Sequence, residues 1–296
     1  MMNYDTMLAV TGWENRFELG IEHFLDGNSV NQVLLFSFDD YSDKVKPNLQ
    51  YLNQVLDKKK IQSRLIPLRH NDNIANWKIV MDTINDMAGS LIVNISTMPR
   101  DIIYFSLHHA EKSEKISSLY CLYNSPQEYS GDNWLTSDPC KPQLIYNMSG
   151  IFEMGKDTIL IILTGFDRKR VEQLLNYYEP GKVYIGIQTG EQYQNNILNA
   201  ERYIDFFKSY INITCFDFDA FMEKDYGFDK IEEIIKENMN SNIIAASLGP
   251  KPSSIALFRL NMKYPEVGLI HVPVTTYNMN YSFGINSRVT VFEQIK

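Results

Sequence analysis

The segment LAVTGWENRFELGIEHFL at residues 8–25 returns as LIILTGFDRKRVEQLLNYY at residues 160–178. In each, an apolar run ends in Thr-Gly, an aromatic residue, an acid and an arginine, and then passes into a helical pattern. Thr11-Gly12-Trp13-Glu14 stands over Thr164-Gly165-Phe166-Asp167, 153 positions on. The next apolar runs, QVLLFSF and KVYIGIQ, match at 150 positions, Ser96 and Ser247 at 151, and Tyr129-Ser130 over Tyr281-Ser282 at 152. Four anchors in one order, drifting by only three positions, indicate an internal duplication. A period this long belongs to a doubled domain and not to a solenoid.

Within each copy short apolar runs alternate with helical patterns. The first copy predicts strands near 7–11, 32–38, 62–68, 90–95 and 118–123, with helices near 14–25, 43–59, 74–88 and 100–111. The second predicts strands near 158–164, 182–188, 211–217, 242–247 and 267–272, with helices near 167–178, 194–209, 227–239 and 252–263. Such alternation is the signature of a parallel, doubly wound sheet. The expected fold is therefore α/β: two Rossmann-like parallel-sheet domains from an internal duplication, packed as a pseudo-two-fold pair. The copies span 1–130 and 157–296, and residues 131–156, which have no full counterpart, read as an insert and linker, with a hairpin as one form for it.

Composition narrows the function classes. Hydrophobic content of 44% and charged content of 22% over 296 residues are those of a globular chain. No apolar run reaches the roughly 18 residues that span a bilayer, and the start MMNYDTMLAV has no secretory pattern. Three cysteines without close pairing favour a reducing compartment, so the cytoplasm is the expected location. The net charge is −8 and the basic residues are scattered, so no duplex DNA binding is expected. A small anion held by a few local cations remains compatible with that balance.

In an open parallel sheet, ligands bind at the carboxyl ends of the strands where the strand order reverses. TGWEN, NISTMPR, TGFDR and ASLGPK all fall at predicted strand-to-helix junctions. There the first helix amides are unpaired, the helix dipole favours negative charge, and a nearby Ser, Thr, Arg or Lys adds donors. That arrangement suits phosphate. It also suits plain helix capping, since Ser and Thr are favoured N-caps and Pro is favoured in the first turn. The candidate ligand-binding residues are Thr11, Gly12, Ser96, Thr97 and Arg100 in the first copy, and Thr164, Gly165, Ser247 and Lys251 in the second.

The pattern Asn94-x-Ser96-x-x-x-Arg100 resembles the fourth-strand motif of CARF (CRISPR-associated Rossmann fold) domains. The second copy keeps Ser247 and Lys251 at that spacing and has Ala245 where the family's Asn or Asp is expected. Thr11 and Thr164 match the hydroxyl residue such domains carry after the first strand. The resemblance implies paired domains with a ligand across a two-fold junction, here within one chain. It implies a sensor of a nucleotide second messenger, a cyclic oligonucleotide or similar phosphate-rich ligand, in prokaryotic anti-phage defence. Attached effectors of that family are not expected, because no R-x-x-x-x-H, acid cluster or recognition helix is found outside the two copies. The alternatives are a partner-recruiting scaffold with a degenerate pocket, working with a separate effector protein, and a metal-independent ring nuclease. No general base stands at the matched positions, so binding without fast turnover is expected.

Other features carry less. His108-His109 lies mid-helix, where adjacent residues do not share a face, and His23, His70 and His271 are isolated. No metal or other cofactor is expected. Asp39-Asp40 and Asp217 with Asp219 end strands, where acids are common in turns and could also hold Mg²⁺ or a ribose hydroxyl. The amide-rich EQYQ and NNILN at 191–199 offer base-edge partners, and Tyr123, Tyr129, Tyr277 and Tyr281 offer stacking faces.

Overall fold

The computed structural model describes residues 2–70, 72–129, 136–165, 167–189, 207, 212–222, 225–286 and 289–294. The chain divides into two compact units, Met1–Asp132 with Met279–Lys296, and Asn133–Asn278. In the first unit the strands are β1 (Asn3–Val10), β2 (Ser29–Phe38), β3 (Gln62–Leu68), β4 (Gly89–Asn94), β5 (Ile116–Asn124) and β6 (Glu128–Tyr129). The helices are α1 (Glu18–Gly27), α2 (Ser42–Lys59), α3 (Asn73–Asn85) and α4 (Arg100–Lys112). The second unit continues with β7 (Thr136–Pro139), β8 (Gln143–Leu144), β9 (Thr158–Thr164), β10 (Lys182–Gln188), β11 (Ile213–Phe218), β12 (Asn242–Ser247), β13 (Gly268–His271) and β14 (Val274–Tyr277). Its described helices are α5 (Arg168–Tyr178), α6 (Phe228–Glu237) and α7 (Pro252–Lys263). The chain then returns to the first unit with β15 (Ser282–Phe283) and β16 (Val289–Gln294).

Each unit holds one six-stranded sheet, ordered β3-β2-β1-β4-β5-β16 in the first and β11-β10-β9-β12-β13-β8 in the second. Five neighbouring strands are parallel in each, and the sixth, β16 or β8, is an antiparallel edge. Both are thus Rossmann-like α/β domains, with the same strand order and the same reversal of winding, at β1/β4 and at β9/β12. The central strands are buried on both faces, as in LIVN of β4 and NIIAAS of β12, which explains why they read as apolar runs without alternation. In the first unit α1 packs beside α2, and α3 beside α4. Met7, Ala9, Val33 and Leu35 of the sheet close with Phe17, Ile21 and Phe24 into one core layer. In the second, Leu160, Ile162 and Ile185 pack on Val171 and Leu174 of α5.

Three expectations need correcting. The first helix starts at Glu18 and not near 14, because residues 14–17 form a turn held by an ion pair within the loop. The strands β6, β14 and β15, too brief for a period-2 pattern, and the six-residue β16 were not expected, and β7 and β8 do not pair with each other as a hairpin would. Tyr129 and Ser282 stand opposite each other in the β6–β15 ladder, so that anchor of the repeat is a strand pairing. Within the 131–156 segment, β7 pairs with β14 and β8 with β13, both in the second unit. The helix expected near 194–209 and the amide-rich stretch at 191–199 lie outside the described residues, apart from Phe207.

Candidate functional site

The loops after β1 and β4 meet at the reversal of winding in the first unit. Thr97 donates its hydroxyl to the Val10 carbonyl at 2.9 Å, tying the two strand ends together. Gly12 lies against that side chain, and a β-carbon there would sit 3.0 Å from Thr97 Cβ. Thr11 donates to Ser37 Oγ at 3.0 Å, fastening the loop to β2. The second unit repeats the approach with backbone alone. A β-carbon on Gly165 would meet the Leu248 carbonyl oxygen at 2.6 Å, and Leu248 N donates to the Leu163 carbonyl at 2.8 Å. Thr164 donates its hydroxyl to the Gly186 carbonyl at 2.9 Å.

The serines of the fourth-strand motif face inward. Ser96 is 0% exposed, and its Oγ accepts from Asn124 N at 2.9 Å and from Asn124 Nδ2 at 3.3 Å. Asn94 Oδ1 accepts from Ser96 N at 3.1 Å, an Asx turn that ends β4. Ser247, 1% exposed, shares hydrogen bonds with Ser253 at 2.6 Å and Ser254 at 3.2 Å. Ala245, two residues before Ser247, offers no such turn-forming side chain, and the serine cluster shapes that end. Of the expected residues, Thr97, Arg100, Gly165 and Lys251 keep partial exposure, while Thr11, Gly12, Ser96, Thr164 and Ser247 are buried. Arg100 opens α4 after Pro99, and Lys251 precedes Pro252 at the start of α7.

Helix N-termini at these loops differ in the charge they present. α1 begins with Glu18, a buried carboxyl whose pKa burial raises, against the opposing hydrogen bond from Asn15. α5 is capped by Asp167, and Asp101 in the first turn of α4 accepts from Ile102 N at 2.9 Å. The first turn of α7 carries no acid and has Lys251 beside it. Its dipole is thus unopposed by a carboxylate, but Pro252 has no amide hydrogen and the Ser253 and Ser254 amides donate to the Pro250 and Lys251 carbonyls at 2.9 Å.

The junction after the first strand of each unit holds an acid–arginine pair; the acids were alignment anchors, but in the second unit the arginine is Arg170 in the first turn of α5 and not the Arg168 that follows the acid. In the second unit Asp167 Oδ2 accepts from Arg170 Nε at 2.9 Å and also from the Thr136 hydroxyl of β7. In the first, Glu14 Oε2 accepts from Arg16 Nε at 3.0 Å and also from the Ser282 hydroxyl of β15. The same arrangement, one carboxylate oxygen shared by a guanidinium and a hydroxyl, occurs in both units. Burial alone would lower the Arg16 pKa, but Glu14, with Tyr123 and Tyr129 beyond it, raises it, so the guanidinium stays charged. Repetition of an acid and an arginine after Thr-Gly was a readable signal. The hydroxyl partners were not, since Ser282 is 268 residues from Glu14.

The remaining sequence candidates are accounted for individually. Tyr129 packs on Tyr281 with ring centroids 5.2 Å apart, Tyr123 is buried at the end of β5, and Tyr277 is partly exposed on β14. Asp219 accepts from Gln188 Nε2 at 2.8 Å and Phe221 N at 2.9 Å, a turn role. Among the described residues no three His, Cys, Asp or Glu side chains form a metal-holding group, and no helix is long and apolar enough to cross a membrane. His108 and His109 pack against Trp77 of α3, ring centroids 5.0 and 4.2 Å away.

No family model matches the sequence, and no curated protein matches it. Among solved structures, one described as a Type III CRISPR defence DNA nuclease activated by cyclic oligoadenylate aligns with a TM-score of 0.56 at 7% identity. The alignment covers 86% of this chain and 63% of that one, so this chain spans less than two thirds of that protein's length. A second, the cytoplasmic domain of a prokaryotic cation chloride cotransporter, aligns over 91% of this chain and 95% of its own at 10% identity, with a TM-score of 0.31, too low to argue a common fold. The first likeness is one of fold: the Rossmann-like architecture of this chain recurs in a solved protein of that description.

Proposed function

We propose that the chain is a CARF-like sensor of a nucleotide second messenger in prokaryotic anti-phage defence. The ligand class is a cyclic oligonucleotide, with cyclic oligoadenylate the first to try, because the solved protein of similar fold is described as activated by it. The observation that carries the reading is the reversal of winding at β1/β4 and again at β9/β12, with the motif residues of both copies at those strand ends. In this reading the two units descend from one duplicated domain. Thr11, Gly12 and Ser96 shape the first loop pair, and Thr97 and Arg100 face the ligand. Thr164, Gly165 and Ser247 shape the second, and Lys251 takes a phosphate.

Calorimetric titration with a panel of cyclic oligoadenylates and nucleoside triphosphates tests it. Arg100→Ala with Lys251→Ala is expected to weaken binding at least tenfold, since charge-assisted hydrogen bonds contribute about 1.5–3 kcal/mol each. Undiminished binding in that variant, or none by the unmodified protein, refutes the reading. Ser96→Ala is a poor probe, because its hydroxyl is committed inside the fold. Labelled cyclic oligoadenylate incubated with the protein in EDTA is expected to stay cyclic over minutes, because the same donors bind the ground state equally well.

A second reading, a scaffold that recruits a separate effector protein, is favoured by one surface. Leu144, Tyr146, Ile151, Phe152 and Met154 are exposed, Met154 to 95%. Their backbone is pinned and not loose: Asn242 holds Glu153 and Lys156, and Gly150 packs against Gly268. Residues 150–156 lie by the starts of β12 and β13, at the opposite end of that sheet from the loops described above, whereas Leu144 stands beside Ile270 towards the end of β13. A rigid apolar strip suits a partner's apolar face. Phe152→Asp with Met154→Asp is expected to leave nucleotide binding intact while abolishing pull-down of such an effector.

A further inference from the structure

At the carboxyl ends of β1, β2 and β3 stands a row of three rings that the phosphate site does not use. Trp13 follows β1, Tyr41 ends the single 3-10 turn after β2, and His70 follows β3. The ring centroids of Trp13 and Tyr41 are 5.4 Å apart at 51°, and those of Tyr41 and His70 are 5.8 Å apart at 85°. Trp13 and Tyr41 are half-buried and His70 is exposed, so the row keeps part of its surface in water. The turn that carries Tyr41 also carries Asp39 and Asp40, both exposed. Asp40 Oδ2 is 3.0 Å from His70 Nδ1, and Lys44 Nζ is 5.6 Å from the Tyr41 ring centroid. Asn48 of α2 donates to the Gly12 carbonyl at 3.3 Å, which fixes the β1 loop relative to this turn.

Three aromatic rings, two carboxylates and a cation at adjacent strand ends form a composite feature that packing alone does not require. Large rings left in water lose the stabilisation of burial, and none of the three anchors the core layers described above. Rossmann-type sheets place the ribose of a nucleotide against an acid at the end of the second strand, beyond the loop of the first. We propose that the Trp13–Tyr41–His70 row with Asp39 and Asp40 is a purine nucleoside subsite of the first unit. The rings take the base by stacking, the carboxylates accept from the ribose hydroxyls, and Lys44 meets an attached phosphate. The purine assignment rests on the adenylate reading above; the nucleoside assignment rests on the rings and acids. The second unit lacks the arrangement among its described residues. There the end of β10 is closed by Gln188, whose amide donates to Asp219 Oδ1 at 2.8 Å and accepts from Ala220 N at 3.0 Å.

Stacking contributes about 1–3 kcal/mol per base, so Trp13→Ala and Tyr41→Ala are each expected to weaken binding by roughly five- to hundredfold. Calorimetry uses two probes on the full chain, cyclic oligoadenylates and adenosine 5′-monophosphate. Trp13→Phe and Tyr41→Phe are expected to restore most of the affinity, and alanine variants with the Tm and circular dichroism of the unmodified protein exclude loss of fold as the cause. Asp39→Asn with Asp40→Asn is expected to narrow the preference for adenosine over 2′,3′-dideoxyadenosine. Cyclic oligoadenylate binding that is unchanged in both alanine variants overturns the subsite and leaves the sensor reading standing. Adenosine 5′-monophosphate binding that depends on Trp13 and Tyr41, without any cyclic oligoadenylate binding, supports the subsite and overturns the sensor reading. Loss in the alanine variants without rescue by Phe also overturns the subsite.

Discussion

Removing one partner of the Asp167–Arg170 pair should destabilise the second unit strongly, while replacing the whole pair should not. The side chains of Arg170 and Asp167 are 6% and 4% exposed, so water cannot replace a missing partner. Asp167→Ala removes the carboxylate from Arg170 Nε, from the Thr136 hydroxyl and from Arg170 N, the cap of α5. Breaking a buried pair in this way costs about 3–5 kcal/mol, because a desolvated charge is left behind. In Asp167→Leu/Arg170→Met/Thr136→Val the buried charge and the orphaned hydroxyl are both gone, and stability is expected to return to within about 1 kcal/mol of the unmodified protein. The matched pair in the first unit sets the scale. Glu14 and Arg16 are 22% and 10% exposed, so Glu14→Ala should cost less, about 1–3 kcal/mol. Urea unfolding followed by circular dichroism reads the totals, and amide exchange of peptides from β9 and β10 locates the loss. A cost below about 1 kcal/mol for Asp167→Ala, or a triple variant no more stable than the single, would refute the argument from desolvation.

Gly165→Ala would set a β-carbon 2.6 Å from a backbone oxygen, whereas Gly12→Ala would meet only the Thr97 side chain at 3.0 Å. The first should cost about 1–3 kcal/mol and the second clearly less, read as the difference in Tm between the two variants. His109 has its pKa lowered to about 4 from 6.5, by burial first and then by His108, against the Trp77 backbone and Asp82. Its neutral form is favoured by folding, so stability should fall as pH drops from 6.5 towards 4, where the unfolded chain binds the extra proton. His109→Phe should flatten that part of the stability–pH curve, and an unchanged slope would count against it. Asn242→Ala removes three hydrogen bonds to the 153–156 backbone, and limited proteolysis should then cut near Met154 at least tenfold faster, at about 1 kcal/mol per bond.

The periodicity of the chain was enough to specify the layers. Runs such as ILIILT at 159–164 have no polar face to expose, so they must lie inside a sheet covered on both sides, and helix-period segments between them impose parallel crossovers. From that, the strand ends bearing Thr11, Ser96, Thr164 and Ser247 could be identified as the place where loops gather. Which way those side chains turn could not. Ser96 faces inward because Asn124, at the end of a different strand, offers donors there, and Thr97 crosses to Val10 because β1 and β4 are neighbours in space. The acid–arginine pairs were visible as repeated letters, yet their burial depends on hydroxyls from β7 and β15, strands of four and two residues. Strands so short carry no alternation to read, and hydrogen bonding to partners remote in sequence is what makes them strands. The assignment of β16 to the first sheet, and the meeting of Trp13, Tyr41 and His70, likewise arise only when strands distant in sequence are laid side by side. Local pattern reports what a residue must bury; only the folded chain decides which residue it is buried against.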